Sequence, residues 1–329
     1  MNKFINKIKN AFTSFVNKIR NIKWKKVKTY LFGNGLKDGA LLMLVYYALL
    51  IVIAFVFVEP ILEMFFTSFK SSSDLVDPEV VNLPKDWMFL NYKAAYIALD
   101  YLTSLLNSVW FALLLSVIQT IVSALAGYAL ARYKIKGAKF WWGLLIASFI
   151  IPAPMLILPR QIIFNTIFTT FDIKMVGTIL PQLLLTLFGQ GVYSTILILI
   201  CYNFFKQIPY DLDEASIMDG ASSIQTFYHI IFKLSVPIII TVFLFSFVWN
   251  WNDTLSMRYY LADGLQILPN QLDSIDNLLG GIANGPADKT NEAKRMAGTL
   301  ISIIPLLIMY AFLQKQFVEG IEQTGLTGQ

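Results

Sequence analysis

Six stretches of this chain carry no charged residue: 41–58, 105–131, 140–158, 176–205, 234–251 and 296–313. A helix that crosses a membrane needs about 20 mostly apolar residues, because the hydrocarbon core is about 30 Å thick and each residue advances about 1.5 Å. All six are long enough or nearly so. The composition agrees: 56% of the 329 residues are hydrophobic and only 14% are charged, against about 25% charged in a soluble domain. Two soluble domains of this total length could not cover their surfaces with so few charges, and disorder requires low hydrophobicity. The sequence therefore predicts an all-α integral membrane protein with about six transmembrane helices.

The stretches differ in quality. Pro152 and Pro154 break the third. The fourth carries Pro181, Gly189 and Gly191, and reads either as one long span or as a re-entrant piece followed by a full helix. Charge is absent from the centres of all six, which argues against a proton relay or voltage sensor inside the chain. The single cysteine, Cys201, excludes an intramolecular disulfide and a cysteine-based metal cluster. The single histidine, His229, excludes a multi-histidine site, and no metal site is expected. With no H-E-x-x-H, no G-x-S-x-G and no phosphate-binding G-x-x-x-x-G-K-[ST] string, the chain is expected to be neither an enzyme nor a holder of any cofactor.

The basic residues exceed the acidic ones, 26 to 21, and their placement carries the information. Ten lie before residue 41, and Arg132, Lys134, Lys136 and Lys139 crowd the short loop after the second stretch. Lys and Arg favour the cytoplasmic side, so both termini are expected in the cytoplasm and the excess is not a sign of nucleic-acid binding. Residues 1–38 place Phe4, Ile5, Ile8, Phe12, Phe15, Ile19 and Ile22 at helical spacing among lysines and Arg20. That pattern predicts a basic amphipathic helix on the anionic membrane surface, not a secretory signal; a basic tail that only fixes topology is the simpler alternative. The organisation that follows is this segment, a first span with its outer loop (39–103), a core of spans (104–317) and a C-terminal tail (318–329). No internal repeat is visible, which weighs against a secondary transporter built from two similar halves.

One loop holds a readable signal. Pro209 ends the fourth stretch, and Asp211 with Glu214 fits a reciprocal helix cap. A short helix to Asp219 would end on the left-handed turn of Gly220. A second helix would run from about Ser222 to Lys233, with Pro237 in the first turn of the fifth span. Leu212, Ala215, Ile217 and Met218 give the first of these helices an apolar surface that needs a partner to cover it.

Glu214-Ala215-Ser216, three residues, then Gly220 resembles the EAA loop of ATP-binding-cassette importer permeases. It lies between two spans on the basic side and soon after Phe204-Phe205-Lys206-Gln207-Ile208-Pro209. Two positions depart from that pattern: Ser216 replaces an alanine, and Phe232-Lys233 stands where Leu-Pro is expected, although Leu234-Ser235-Val236-Pro237 follows. Phe65-Phe66-Thr67-Ser68-Phe69-Lys70, Asn91-Tyr92, Trp251-Asn252-Asp253 and Phe317-Val318-Glu319-Gly320-Ile321 extend the resemblance over the chain from about residue 40. It is most similar to the carbohydrate-uptake branch, in particular the smaller permease of maltose-type importers. The 253–295 loop fits least and reads as an insertion.

The resemblance implies a multi-pass protein of a bacterial plasma membrane. It implies a second, different permease, cytoplasmic ATPase subunits and an extracellular solute-binding protein as partners, besides membrane lipid. Glu214, Ala215, Ser216, Asp219 and Gly220 would then dock the ATPase, although a cap and a turn on a solvated loop need no partner. Asn250, Trp251, Asn252 and Asp253 combine an aromatic face with amides and a carboxylate, which suits a sugar; an interfacial anchor is the plainer role of Trp251. Gln182 and Gln190 either line the path or bond neighbouring helices. The cargo alternatives are a non-sugar polar solute such as glycerol phosphate in the same architecture, or a stand-alone secondary transporter.

Overall fold

The computed structural model describes residues 39–262, 264–279 and 291–325, and the isolated Thr13. The expected amphipathic helix of residues 1–38 lies outside the described residues. Every described element is helical. The chain divides into two compact units, Met1–Met64 and Phe65–Gln329.

In the first unit, helix α1 (Ala40–Ser68) is an apolar rod whose side chains from Leu41 to Leu62 are all exposed. That is the surface of a helix made for lipid. Its last turn belongs to the second unit, where two stretches that are distant in sequence meet. Asn91 Nδ2 donates to the carbonyls of Ser68 and Lys70, each at 2.9 Å, and the Ser68 and Tyr92 hydroxyls lie 2.8 Å apart. The short helices α2 (Ser72–Val76) and α3 (Leu90–Ala98) complete this segment.

Helix α4 (Tyr101–Arg132) is the axis of the second unit. Its neighbours are α8 (Ser194–Gln207) on one flank and α12 (Val236–Asn252) on the other. Gly127 permits the first approach: a Cβ there would stand 2.6 Å from the Cys201 Cβ and 2.8 Å from the Tyr202 amide nitrogen. Between these helices Ala124, Tyr128, Leu197, fully buried Cys201 and Phe205, and Val242 form one core. A second core joins Leu99, Ala112, Phe247 and Trp251 to Ala297 of α16 (Glu292–Gly325). The described part of the 253–295 loop forms α13 (Thr254–Leu261), α14 (Leu268–Asp273) and α15 (Ile275–Leu278). It is tied to the axis where the Leu268 amide donates to Ser108 Oγ at 2.7 Å.

Among the described residues, α1, α4 and the Glu292–Lys315 part of α16 are each long and apolar enough to cross a membrane. Two bent pairs raise the number to five. The expected third span is one of them: α5 (Ala138–Ile150) and α6 (Ala153–Phe171) meet at 104° beside Pro152. The fifth is the other, bent by 78° where Ser235 separates α12 from the helix before it. The expected fourth span is split between α7 (Leu180–Leu187) and α8, as Pro181, Gly189 and Gly191 suggest.

The close approach at Gly127 has a direct consequence. Gly127→Ala must push α4 and α8 apart, and overpacking of this kind costs about 1–3 kcal/mol. A lowered unfolding midpoint of the detergent-purified protein is the expected result; an unchanged midpoint would show that the helix pair yields without cost.

Candidate functional site

Two regions draw the candidate residues together. The first is the 203–237 loop. Helix α9 (Asp211–Met218) ends as expected, with Gly220 at φ 82°. The Ala221 amide donates to the Ser216 carbonyl at 3.0 Å and the Gly220 amide to the Ile217 carbonyl at 2.9 Å, the paired bonds of a left-handed helix stop. The start differs from expectation. Asp211 does not cap the helix; Tyr210 holds that position in helical conformation, without a side-chain cap. The reason is a long-range one. The Tyr210 hydroxyl donates to the Ala131 carbonyl at 3.1 Å, and the Arg132 guanidinium sits 4.5 Å above its ring. Tyr210 is thus fixed from outside the loop, and Asp211 enters the first turn, where a negative charge favours the helix dipole. The reciprocal cap occurs one helix later: the Ser222 amide donates to Gln225 Oε1 at 2.8 Å and the Gln225 amide to Ser222 Oγ at 3.4 Å. It opens α10 (Ser223–Thr226), which passes through a π-helical turn (Phe227–Ile231) into α11 (Phe232–Leu234).

Arg132, read from the sequence only as an orientation signal, is the anchor of this loop. Its side chain is 3% exposed and lies 3.3 Å from Asp213 Oδ2, an ion pair short of hydrogen-bond alignment. Its other terminal nitrogen donates to the Ile208 carbonyl at 2.8 Å. The sequence signal was its place at the very end of an apolar stretch, opposite a loop rich in carboxylates. Ser216 faces inward, with its hydroxyl 2.6 Å from that of Thr226, so the serine that departs from the EAA pattern clasps α9 to α10. Glu214, Ala215, Asp219 and Gly220 face outward, beside exposed Leu212, Ile217, Met218, Ile224 and Tyr228. The loop therefore has a polar seam holding it to the helices and an apolar face that none of the described residues covers.

The second region is a cavity of about 690 Å³ at the other end of α12. Its walls are the α5–α6 elbow, the α7–α8 link and the α12–α13 junction. Of the residues expected on a substrate path, Gln182, Gln190, Asn252 and Asp253 line it. Asn250 and Trp251 do not. Asn250 Nδ2 donates to Gln119 Oε1 at 2.7 Å, and Trp251 belongs to the core with Phe247. Gln119 is fully buried and spends all its bonding capacity on this junction. Its oxygen also accepts from Ser246 Oγ at 2.6 Å, and its nitrogen donates to the Val192 carbonyl at 2.6 Å and to Ser194 Oγ at 2.9 Å.

Within the cavity, Arg160 donates to Gln190 Oε1 at 3.1 Å. Asp253 caps α13 by accepting from the Ser256 amide at 3.0 Å. Burial raises its carboxyl above the usual range, against the opposing effect of Ser256 and the neighbouring Gln182. Sequence reasoning missed Arg160, Tyr193 and Trp249 as wall residues. The signal was present for one of them: Trp249, Asn252 and Asp253 stand at i, i+3 and i+4, one helix face.

A family of known proteins covers this architecture. The model of the binding-protein-dependent transport system inner membrane component matches residues 39–323. The chain belongs to this family. The diacetylchitobiose uptake system permease protein DasC of Streptomyces coelicolor is 28% identical over 274 residues, covering 82% of this chain and 92% of its own. The trehalose transport system permease protein SugB of Mycobacterium tuberculosis is 27% identical, with the same coverages. A crystal structure of a bacterial ABC transporter involved in the import of the acidic polysaccharide alginate shares the fold. It matches with a TM-score of 0.64 and 22% identity, covering 84% of this chain and 96% of that one. The resemblance to ATP-binding-cassette importer permeases, read from the EAA loop and its flanking stretches, is thus borne out. The chain is a multi-pass membrane permease subunit, and a stand-alone secondary transporter is set aside.

The Arg132 anchor predicts strong coupling between two positions 81 apart in sequence. Breaking a buried ion pair from one side costs about 3–5 kcal/mol. Arg132→Ala and Asp213→Ala should each destabilise the loop, and the double variant should be less damaged than the sum by about 0.5–3 kcal/mol. Strictly additive losses in a double-mutant cycle of unfolding midpoints would show that the pair does not act as one.

Proposed function

We propose that this chain is the transmembrane permease of an ATP-driven importer for a sugar or oligosaccharide. Its outward loop face, Glu214, Ala215, Asp219 and Gly220 with the apolar side chains beside them, docks a cytoplasmic ATPase, and inward Ser216 keeps that face in shape. The observation that carries the reading is this exposed apolar face on a loop otherwise pinned to the helices. Large apolar patches on a surface are sites of association. The cargo class rests on relatives named for the uptake of diacetylchitobiose and trehalose, and on a cavity lined by amides, a carboxylate and aromatic rings.

In this arrangement a second, different permease completes the pathway, two ATPase subunits lie beneath, and an extracellular binding protein delivers the sugar. Both termini are cytoplasmic, residues 1–38 lie on the inner membrane surface, and the tail after Ile321 lies against the ATPases. Gln182, Gln190, Asn252 and Asp253 border the substrate path, with Asn250 and Trp251 bracing it from behind. Closure of the ATPases draws the two docking loops together, and the second unit passes that motion to the cavity.

The test is the pair Glu214→Ala and Gly220→Asp. The first removes a carboxylate from the docking face; the second puts a side chain where φ is 82° and a charge where the partner must approach. Two residues at the centre of an interface commonly contribute about 2 kcal/mol each. ATP-driven saccharide uptake in the reconstituted importer should therefore fall at least about tenfold, with reduced co-purification of the ATPase. Full uptake with intact co-purification would refute the docking role.

A further inference from the structure

Helix α3 (Leu90–Ala98) is largely apolar both on the side it buries and on the side it leaves open. Inward go Asn91, Ala95 and, just past its end, Leu99. Outward go Phe89 at its start, Leu90 and Ile97, exposed to 68%, 67% and 67%, and Tyr96 beside them. These four stand three, four or seven residues from one another or from exposed Lys93, which makes one helix face. Half-exposed Trp87 extends the patch: its ring and that of Phe89 both lie against Phe69, at 5.0 Å and 5.2 Å. A helix that is apolar all round belongs in a protein core or in lipid. None of the described residues covers this outward face.

Two observations favour lipid as its cover. The first is depth. The chain passes from α3 through Asp100, left-handed at φ 39°, directly into α4. Along α4 the exposed side chains Leu102, Leu106, Trp110, Val117, Ile121 and Leu125 form an apolar stripe at helical spacing. From first to last it advances about 35 Å at about 1.5 Å per residue. That matches a hydrocarbon core about 30 Å thick. Leu102 therefore marks the edge of the core, and α3, which ends just before it, lies at headgroup level. The second observation is chemical. Trp and Tyr gather at the boundary between membrane and water, and a lysine there lays its stem on apolar surface and keeps its ammonium in the polar layer. Trp87, Tyr96 and Lys93 are such a set. Among the described residues no carboxylate pairs with Lys93, so its charge is free for a phosphate.

We infer that α3 is an interfacial anchor. It lies in the leaflet at the Tyr101 end of α4, opposite the 203–237 loop. Phe89, Leu90, Tyr96 and Ile97 enter the acyl boundary, and Lys93 meets phospholipid phosphates. The inference needs only the membrane permease fold and stands whatever the cargo. It also gives the segment between the first two spans a task. Asn91 holds the carbonyls of Ser68 and Lys70, so an anchored α3 keeps the end of α1 and the start of α4 at one depth. The far end of α4 carries Arg132 and the loop.

The chain's only cysteine, Cys201, is fully buried, so an exposed cysteine takes a nitroxide label selectively. Phe89→Cys and Ile97→Cys are made in the full chain with its co-expressed partner subunits, in vesicles of phosphatidylethanolamine and phosphatidylglycerol. Exposed Glu79→Cys serves as the aqueous reference and Val52→Cys, on the exposed apolar surface of α1, as the lipid reference. Relaxation by oxygen and by a water-soluble nickel chelate gives the depth of each label. Labels at 89 and 97 should read about 5–10 Å below the phosphates, shallower than residue 52. Access of the nickel chelate equal to that at residue 79 overturns the anchor. Shielding from both reagents overturns it too, since that is the mark of a protein cover. Where the cysteine variants do not assemble, p-benzoylphenylalanine in place of Phe89 keeps an aromatic ring there and joins to its neighbour under ultraviolet light. A phospholipid adduct on this chain is the expected product; a cross-link to the binding protein or to another subunit in its place overturns the proposal.

Discussion

A backbone amide or carbonyl in hydrocarbon has no water to turn to, so a membrane chain can interrupt its helices only where protein or a water-filled cavity takes over the bonding. This chain interrupts them at Ile151–Pro152, between Phe188 and Tyr193, and at Ser235, and each break has an identifiable support. The α7–α8 link is held by Gln119, which donates to the Val192 carbonyl. At the 78° bend, the Ser235 amide and hydroxyl both bond to the Ile231 carbonyl. The α5–α6 elbow borders the cavity, and Ser148 of α5 meets the Thr195 hydroxyl of α8 at 2.9 Å. The breaks are thus not scattered. Two of the three enclose the cavity, and the third opens the helix that leads from the EAA loop to it.

That helix, α12, ties the two regions. At one end it follows α11 and the loop whose outer face is exposed. At the other it supplies Trp249, Asn252 and Asp253 to the cavity wall. Between them it is packed on α4 through Val242 in one core and Phe247 and Trp251 in the other. A movement applied to the loop is not absorbed locally, because Arg132 pins Tyr210, Asp213 and Ile208, and Ser216 pins Thr226. The loop, the Arg132 end of α4 and the Gln207 end of α8 form one body. The same α4 carries Gln119, so the residue bracing the cavity and the residue bracing the loop share a single helix.

How much of this could be read beforehand depends on the range of the forces involved. Spans follow from local hydropathy, and the split of the fourth follows from Pro181, Gly189 and Gly191. The helix stop at Gly220 is likewise local, since left-handed backbone is cheapest for glycine. The helix start was misplaced, because Tyr210 is held by Ala131 and Arg132 from a distant part of the chain. The residues expected on the substrate path divide between two faces. Asn250, Trp251, Asn252 and Asp253 form one polar cluster in sequence, yet consecutive residues of a helix point about 100° apart. Ser246 and Asn250 share the face turned to Gln119; Trp249, Asn252 and Asp253 share the one turned to the cavity. Helical spacing alone separates the two sets. The approach of Gln119, which lies on another span, could not be read from spacing.

The placement of charge gives the architecture its logic. Six apolar stretches without a charged residue leave no chain of titrating groups along which an ion gradient could do work. The charges that matter stand at the two ends: Arg132 with Asp213 at the loop, Arg160 and Asp253 at the cavity. In the proposed importer, coupling between the two ends runs through the packed helices that join them. A packed interior transmits displacement because it is nearly incompressible. In the proposed importer, the close contact at Gly127 and the saturated amide of Gln119 belong to the transport device as much as to the fold, since slack at either lets the loop move without the cavity.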